Sequence, residues 1–181
     1  RSISPQDMDV HQSLCRTLGD ISLSSTIDLE FIDVGGGFGV PYHPEDLSLD
    51  LSKVSLEIQK SFFSFSAKLV LEPGRYLVAD AGILLTRINT IKNLDSHTIV
   101  GVDAGMHTLL RPALYGSYHD IQNISSTETK PSLPNTTVTG PICESADILG
   151  VDIELEASAT GDILAIGNAG AYGEAMESQY N

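Results

Sequence analysis

Two glycine-containing corners, each following a short apolar run, hold the residues best suited to chemistry in this chain. The first is Gly35, Gly36 and Gly37 after residues 31–34, and the second is Glu72-Pro73-Gly74-Arg75 after residues 68–71. Glycine permits a positive φ and lets backbone N–H groups come close to an anion. Pro73 suits a first helical position, so the N–H groups after it point toward the strand end. The two corners predict a phosphate site with the Glu72 carboxylate beside it.

Each corner also has a purely structural interpretation. The three glycines fit a tight turn without a ligand, and Glu72 fits a glutamate that stabilises the first turn of a helix. Two known nucleotide patterns are excluded. No Gly-Lys-Ser/Thr follows the glycines as a P-loop requires, and Val40 stands where the dinucleotide fingerprint has its last small residue.

Three further positions carry reactive or charged side chains. Arg111 lies among apolar neighbours, where a guanidinium suits a bidentate grip on a substrate carboxylate or an internal salt bridge. Cys143 precedes Glu144, and a thiol there can deliver a proton near neutral pH, whereas a buried cysteine would be inert. Tyr172 lies in a small-residue loop that suits close approach to a ligand or a packed tyrosine. The five histidines show no metal-ligand spacing, so no metal site is expected.

The segments that position these groups show two patterns of predicted secondary structure. Helix-like apolar spacing over 10–18 and 50–63 alternates with apolar strands at 29–34 and 68–71, as in the βα repeats of parallel sheets and (β/α)8 barrels. After Gly82, short β-type runs separated by turn residues follow one another: 83–91, 97–102, 136–139, 151–156 and 162–166. Residues 123–135 are predicted to form a loop. A full barrel takes about 250 residues, so either the chain is part of a larger protein or its first part is a small open α/β layer.

Composition excludes several classes of partner. With 24 acidic against 10 basic residues the net charge is −14, which repels nucleic acid and leaves an anionic cofactor to be held by local amides and arginines. No stretch approaches the roughly 20 apolar residues of a membrane span, and residues 1–5 lack a signal-peptide core. We therefore expect a cytoplasmic protein without nucleic-acid or membrane partners. Two distant cysteines argue against a disulfide scaffold.

Six motifs in a fixed order identify a protein family more specifically than any one of them does alone. They are VGGGFG at 34–39, EPGR at 72–75, DAGM at 103–106, RPALY at 111–115, GPICESAD at 140–147 and GAYG at 170–173. Together they resemble the fold-type III, alanine-racemase-like decarboxylases that depend on pyridoxal phosphate (PLP). The resemblance implies an α/β plus β chain. Residues 1–82 would supply the last βα units of a PLP-binding (β/α)8 barrel, and residues 83–181 a β-barrel-like Greek-key domain.

The resemblance also implies a role for each motif. Cofactor contacts would come from both corners and one tyrosine: Gly35, Gly36, Gly37, Glu72, Gly74, Arg75 and Tyr172. Substrate contacts would come from these side chains: Arg75, Arg111, Tyr115, Glu144 and Tyr172. Glu72 would pair with the pyridine nitrogen, and Cys143 would protonate the carbon left when CO2 departs. Cys143 and Glu144 would be donated across a homodimer interface.

The implied reaction is decarboxylation of a basic amino acid, with meso-2,6-diaminopimelate converted to L-lysine. The family's Schiff-base lysine has no counterpart among the five lysines: Lys53, Lys60, Lys68, Lys92 and Lys130. We expect that lysine upstream of Arg1, and the chain to be a C-terminal portion that is inactive alone. Alternatives are a D-ornithine/D-lysine or carboxynorspermidine decarboxylase, or a non-catalytic homologue that binds a partner protein. The last alternative is disfavoured because the chain retains the four functional side chains together: Glu72, Arg111, Cys143 and Tyr172.

Overall fold

The computed structural model describes residue 4, residues 7–125 and residues 132–181. The chain divides into two compact units, Arg1–Leu77 and Val78–Asn181, each with its own hydrophobic core. The first, the N-terminal unit, mixes helices with a parallel strand pair, and the second, the C-terminal unit, is built on one sheet.

The N-terminal unit alternates helices and strands. In chain order its elements are α1 (Met8–Ser24), β1 (Phe31–Gly36), α2 (Leu51–Phe62), β2 (Lys68–Glu72) and α3 (Gly74–Val78), which ends at the unit boundary. Strands β1 and β2 pair in parallel, with Gly36 opposite Glu72. The two strands and α2 are confirmed close to their predicted positions, whereas α1 extends well beyond the predicted 10–18. The described residues of this unit close no (β/α)8 barrel.

Local sequence explains where α2 begins and which face it buries. The Asp50 carboxylate accepts hydrogen bonds from the N–H groups of Ser52 and Lys53, which satisfies donors that the helix leaves unpaired. The helix then buries an apolar stripe against β1 and α1: Val54, Ile58 and Phe62 pack with Cys15, Ile32 and Val34. This core fixes the strand pair that carries both glycine corners.

The C-terminal unit is a six-stranded sheet with one short helix inserted. Its elements are β3 (Leu84–Leu94), β4 (His97–Val102), α4 (Arg111–Tyr115), β5 (Ile121–Asn123), β6 (Leu133–Thr139), β7 (Ile148–Leu155) and β8 (Ile163–Ile166). The strand order is β5-β8-β3-β4-β6-β7, and all pairs are antiparallel except β4 with β6. The end strands β5 and β7 contact each other, so the sheet is nearly closed into a barrel. At this seam Gly150 packs against the Ile121 side chain.

Some predicted boundaries are wrong. The predicted loop over 123–135 contains the end of β5 and the start of β6, and its residues 126–131 lie outside the described part of the chain. Helix α4 and strand β5 were not predicted at all. Both are short elements that depend on packing rather than on a long periodic pattern. Strand β5 exists because it pairs with β8, which lies some forty residues later.

None of the helices among the described residues is long and apolar enough to cross a membrane. Nor do these residues contain a group of three or more His, Cys, Asp and Glu side chains arranged to hold a metal ion.

Candidate active site

The first glycine corner uses its glycines for two different reasons. Gly35 and Gly37 have φ angles of 79° and 82°, which side-chain-bearing residues rarely adopt. Gly36 is needed for space, because a Cβ there would lie 2.1 Å from the carbonyl oxygen of Glu72. The Asp33 carboxylate accepts a hydrogen bond of 2.7 Å from the Gly35 N–H, which engages that amide within the corner itself.

The second corner lies directly beside the first. Glu72 ends β2 with its side chain exposed, and α3 starts two residues later, with the Leu77 N–H donating to the Pro73 carbonyl at 3.1 Å. The Glu72 carboxylate makes no capping hydrogen bond to α3 among the described residues. Phe38 and Tyr76 meet edge to face at 6.3 Å between ring centroids. The prediction that the two corners are neighbours is confirmed.

Arg111 and Tyr115 lie at opposite ends of α4. The Arg111 side chain is buried and donates from Nη2 to the Ser117 hydroxyl at 3.3 Å, whereas Tyr115 is exposed. Pro112 suits the first turn, and Gly116 ends the helix in the left-handed conformation, with φ 61°. The helix therefore holds the guanidinium inside the unit and presents the phenol to solvent.

The DAGM motif begins with a second carboxylate held by hydrogen bonds. Asp103 accepts from the Arg87 N–H at 2.8 Å and from the Thr86 hydroxyl at 2.7 Å. These donors, the Arg87 N–H foremost, lower the pKa of Asp103 below its ordinary value. The Thr86 hydroxyl also accepts from the Ala104 N–H at 2.9 Å, which fixes the start of the loop leading to α4.

Cys143 and Glu144 lie together on an exposed loop. Cys143 is a free, exposed thiol, so the alternative of a buried inert cysteine is wrong. Glu144 is also exposed, and its carboxylate accepts a hydrogen bond from the Tyr180 hydroxyl at 3.2 Å. The Cys143 carbonyl accepts from the Asn181 side chain at 3.3 Å. A thiol and a carboxylate on consecutive residues are thus both exposed to solvent.

Tyr172 is held in an uncommon backbone conformation. Its φ is 62°, which costs a residue with a side chain some strain, and the ring is half exposed. The loop before it is pinned because Gly170 donates to the Ala79 carbonyl at 3.0 Å and Ala169 to that of Gly82 at 2.9 Å. The interpretation as a fully packed tyrosine is not supported by this exposure.

Apart from Tyr172, which lies in the loop after β8, the predicted residues therefore form three local groups. Gly36 and Glu72 meet in the N-terminal unit, Cys143 and Glu144 share one loop, and Arg111 with Tyr115 shares α4. Convergence of all of them on one substrate stays a prediction. Sequence reasoning missed Asp33, His119 and Asp147. Asp147 belongs to the GPICESAD motif and was available there as an acid of unassigned role, whereas nothing local marked His119.

Comparison with known protein families assigns the chain to one of them. The profile described as "Pyridoxal-dependent decarboxylase, C-terminal sheet domain" matches residues 9–170. Because this match covers most of the chain, the chain belongs to that family of decarboxylases. The resemblance drawn from six motifs is confirmed, and the nearly closed sheet matches the C-terminal sheet domain of these proteins.

Individual relatives agree with this assignment. The chain is 44% identical over 177 residues to the diaminopimelate decarboxylase of Methanothermobacter thermautotrophicus, covering 94% of this chain and 41% of that protein. The crystal structure of the M. jannaschii diaminopimelate decarboxylase in co-complex with L-lysine matches with a TM-score of 0.87 and 32% identity, over 99% of this chain and 43% of that one. The Helicobacter pylori diaminopimelate decarboxylase complexed with L-lysine matches with a TM-score of 0.81 and 36% identity, over 96% and 42%. The chain spans about two fifths of the length of these relatives.

Proposed function

We propose that the full-length protein containing this chain is a PLP-dependent carboxy-lyase that converts meso-2,6-diaminopimelate to L-lysine. The observation that carries the proposal is the contact of Gly36 with the backbone of Glu72, which places the glycine corner beside the exposed Glu72 carboxylate. Two findings support the substrate. Relatives about 40% identical carry the name diaminopimelate decarboxylase, and two solved neighbours hold L-lysine.

The two corners fit this cofactor chemically. An anionic phosphate in a chain of net charge −14 needs local N–H donors, and the corner at Gly36 and Gly37 lies next to the start of α3 at Gly74 and Arg75. A Cβ on Gly74 would meet nothing within 4 Å, so this backbone is open to a ligand. In this proposal the N-terminal unit supplies the last βα units of a (β/α)8 barrel, whose phosphate sites lie at such loops.

PLP supplies an electron sink for the charge left on carbon when CO2 departs. Glu72 would hold the cofactor's pyridine ring by accepting a hydrogen bond from its protonated nitrogen, which would keep that proton in place. Cys143 donates the proton that replaces CO2 on the substrate carbon, and Glu144 binds the distal amine. Arg75, Arg111 and Tyr115 bind the distal carboxylate.

The same proposal makes the protein a homodimer in the cytoplasm. Cys143 and Glu144 are exposed on their loop, as expected of side chains that complete a site across an interface. An interface also covers apolar surface that the isolated chain exposes.

The test of the function is a substitution of the acid in the full-length protein. We expect Cys143→Ala to lower kcat for diaminopimelate about 100-fold, the range of a lost general acid, while PLP absorbance is retained. Decarboxylation is followed by CO2 release and by lysine formation, and Ser145→Ala on the same loop serves as the matched control. Parental turnover by Cys143→Ala would show that another group delivers the proton.

Substrate identity is tested with the parental protein. Diaminopimelate, D-ornithine, D-lysine and carboxynorspermidine are offered separately, and we expect the highest kcat/KM for diaminopimelate. A higher value for another substrate assigns that activity instead. Absence of PLP absorbance, with no turnover of any substrate, identifies a binding protein rather than an enzyme.

A further inference from the structure

Asp147 is a buried carboxylate that joins two loops. Its side chain is 3% exposed, and among the described residues it has no ion-pair partner. Its Oδ1 accepts from the Met106 N–H at 2.6 Å and its Oδ2 from the Ile142 N–H at 2.6 Å. Buried charge is tolerated only where such donors replace water. The carboxylate is therefore a cross-link between residues that lie far apart in sequence.

Two glycines make room for this carboxylate. A Cβ on Gly105 would lie 2.5 Å from Oδ1 of Asp147, and one on Gly140 would lie 2.4 Å from Oδ2. Neither glycine has a positive φ, so neither is required by backbone conformation. For Gly105 the three nearest atoms all belong to the Asp147 carboxylate. The Asp147 carboxylate therefore accounts for the glycine of DAGM. The glycine of GPICESAD is required both by that carboxylate and by the backbone of Gly105, whose Cα would lie 2.5 Å from a Cβ on Gly140.

The loop that Asp147 closes is the one that carries Cys143 and Glu144. The Gly140 N–H donates to the Asp147 carbonyl at 3.0 Å, and the Asp147 N–H donates to the Glu144 carbonyl at 3.0 Å. Ile142, held by the side chain, is the residue directly before the thiol. Exposed loops move unless such bonds restrain them.

We propose that Asp147 is the positioning residue of this loop, fixing it to Met106 so that the Cys143 thiol and the Glu144 carboxylate are presented in one orientation. The catalytic consequence rests on the proposed function, but the cross-link does not. A displacement of about 1 Å at reacting groups can cost about 100-fold in rate, so a loosened loop is felt in turnover.

The first test is Asp147→Asn in the full-length protein. The amide keeps the shape of the side chain but turns an N–H2 group toward one of the two backbone donors, so one bond is lost. We expect hydrogen exchange to rise in peptides spanning 103–110 and 140–147 and not over 163–166. We also expect kcat to fall about 10- to 100-fold with PLP absorbance retained. Asp95→Asn, an exposed change of the same charge, is the control.

A second test uses Gly105. Gly105→Ala pushes a methyl group into the carboxylate of Asp147, so we expect a similar fall in kcat. In the Asp147→Ala background the carboxylate that obstructs this methyl group is absent, and adding Gly105→Ala should change kcat by less than about twofold. Additive effects of the two substitutions would show that Gly105 acts independently of Asp147.

The alkylation rate of Cys143 tests the positioning role of Asp147 without relying on the proposed decarboxylase activity. Iodoacetamide modification is read on the Cys143 peptide by mass spectrometry, and we expect the rate to change at least about threefold in Asp147→Asn. If no substrate is turned over, the proposed function fails, while exchange and alkylation still decide the cross-link. Unchanged exchange over 103–110 and 140–147, or parental kcat and alkylation, overturns the positioning role. If Asp147→Asn does not fold, Gly105→Ala decides: reduced kcat supports the role and parental kcat overturns it.

Discussion

Gly36 has no room for a side chain, because the Glu72 carbonyl occupies the position of its Cβ. The obstacle is backbone within a paired strand, which cannot move aside as a flexible side chain can. A Cβ on Gly74, two residues after Glu72, would instead meet nothing within 4 Å. The two corners thus contain one glycine required by packing and one whose backbone is free to meet a ligand.

Gly36→Ala is expected to destabilise the full-length protein by about 1–3 kcal/mol, the range for overpacked sites, because the strand pair must separate. PLP affinity should fall with it, since both corners shift. Urea unfolding and PLP titration measure the two effects. Gly74→Ala is the control for stability, and we expect it to be neutral or slightly stabilising. Equal stability of both variants would contradict the close contact at Gly36.

Elements of the C-terminal unit are tied together by His119, which lies just before β5. The ring is 2% exposed, and its Nδ1–H donates to the Gly167 carbonyl at the end of β8, at 2.9 Å. Burial lowers the pKa of His119, the charge of Arg111 lowers it further, and the bond to Gly167 partly opposes them. Protonation would place a buried charge beside an arginine, so the neutral ring is part of the folded structure.

Stability should therefore depend on pH through His119. Because its folded pKa lies below the ordinary value of about 6.5, the unfolded chain takes up the proton first as pH falls. The contribution of the neutral His119 ring to the free energy of unfolding is complete above about pH 6.5 and decreases below that pH. Urea unfolding of the full-length protein from pH 7.5 to 5.5 measures the slope. His119→Asn, which keeps a donor near Gly167 but cannot titrate, should reduce the slope, whereas exposed His43→Asn should retain it.

The whole molecule leaves apolar strand surface uncovered in its N-terminal unit. Strands β1 and β2 form a two-stranded parallel sheet, and Leu69, Val70 and Leu71 are 40%, 38% and 42% exposed on its two faces. Parallel sheets are normally buried on both faces, and unpaired edges invite association. An apolar cleft of about 470 Å³, lined partly by Leu69, Leu71 and Tyr76, adds to this surface. Such uncovered apolar surface is consistent with a chain that spans about two fifths of the length of its relatives.

The chain expressed by itself is expected to bind a hydrophobic dye such as ANS and to show no decarboxylation of diaminopimelate with added PLP. The full-length protein should bind less dye per molecule and turn over substrate. Dye fluorescence and lysine formation, measured side by side at equal concentration, check both statements. Turnover by the chain alone would show that decarboxylation needs no residue from outside this chain.

Local patterns were sufficient for the elements whose stability is local. The apolar stripe of α2 and its Asp50 cap lie within one short segment of sequence, where their spacing can be recognised. The β1 and β2 runs are bounded by turn residues on both sides. Strand β5 has three residues and depends on β8, and Leu133 was assigned to a loop although it pairs with Leu155 of β7. Such pairings join distant segments, so no short window of sequence contains them.

The sequence alone determined the chemistry on offer: two glycine corners, an acid after the second, a thiol next to a carboxylate, and an order of motifs that identifies the family. The contact of Gly36 with Glu72, the exposure of Cys143 and the burial of Asp147 between two loops arise only when the chain folds. The physical reason is range. Turn and helix preferences act over a few neighbouring residues, whereas close approach and exclusion of water depend on segments that meet only when the chain folds.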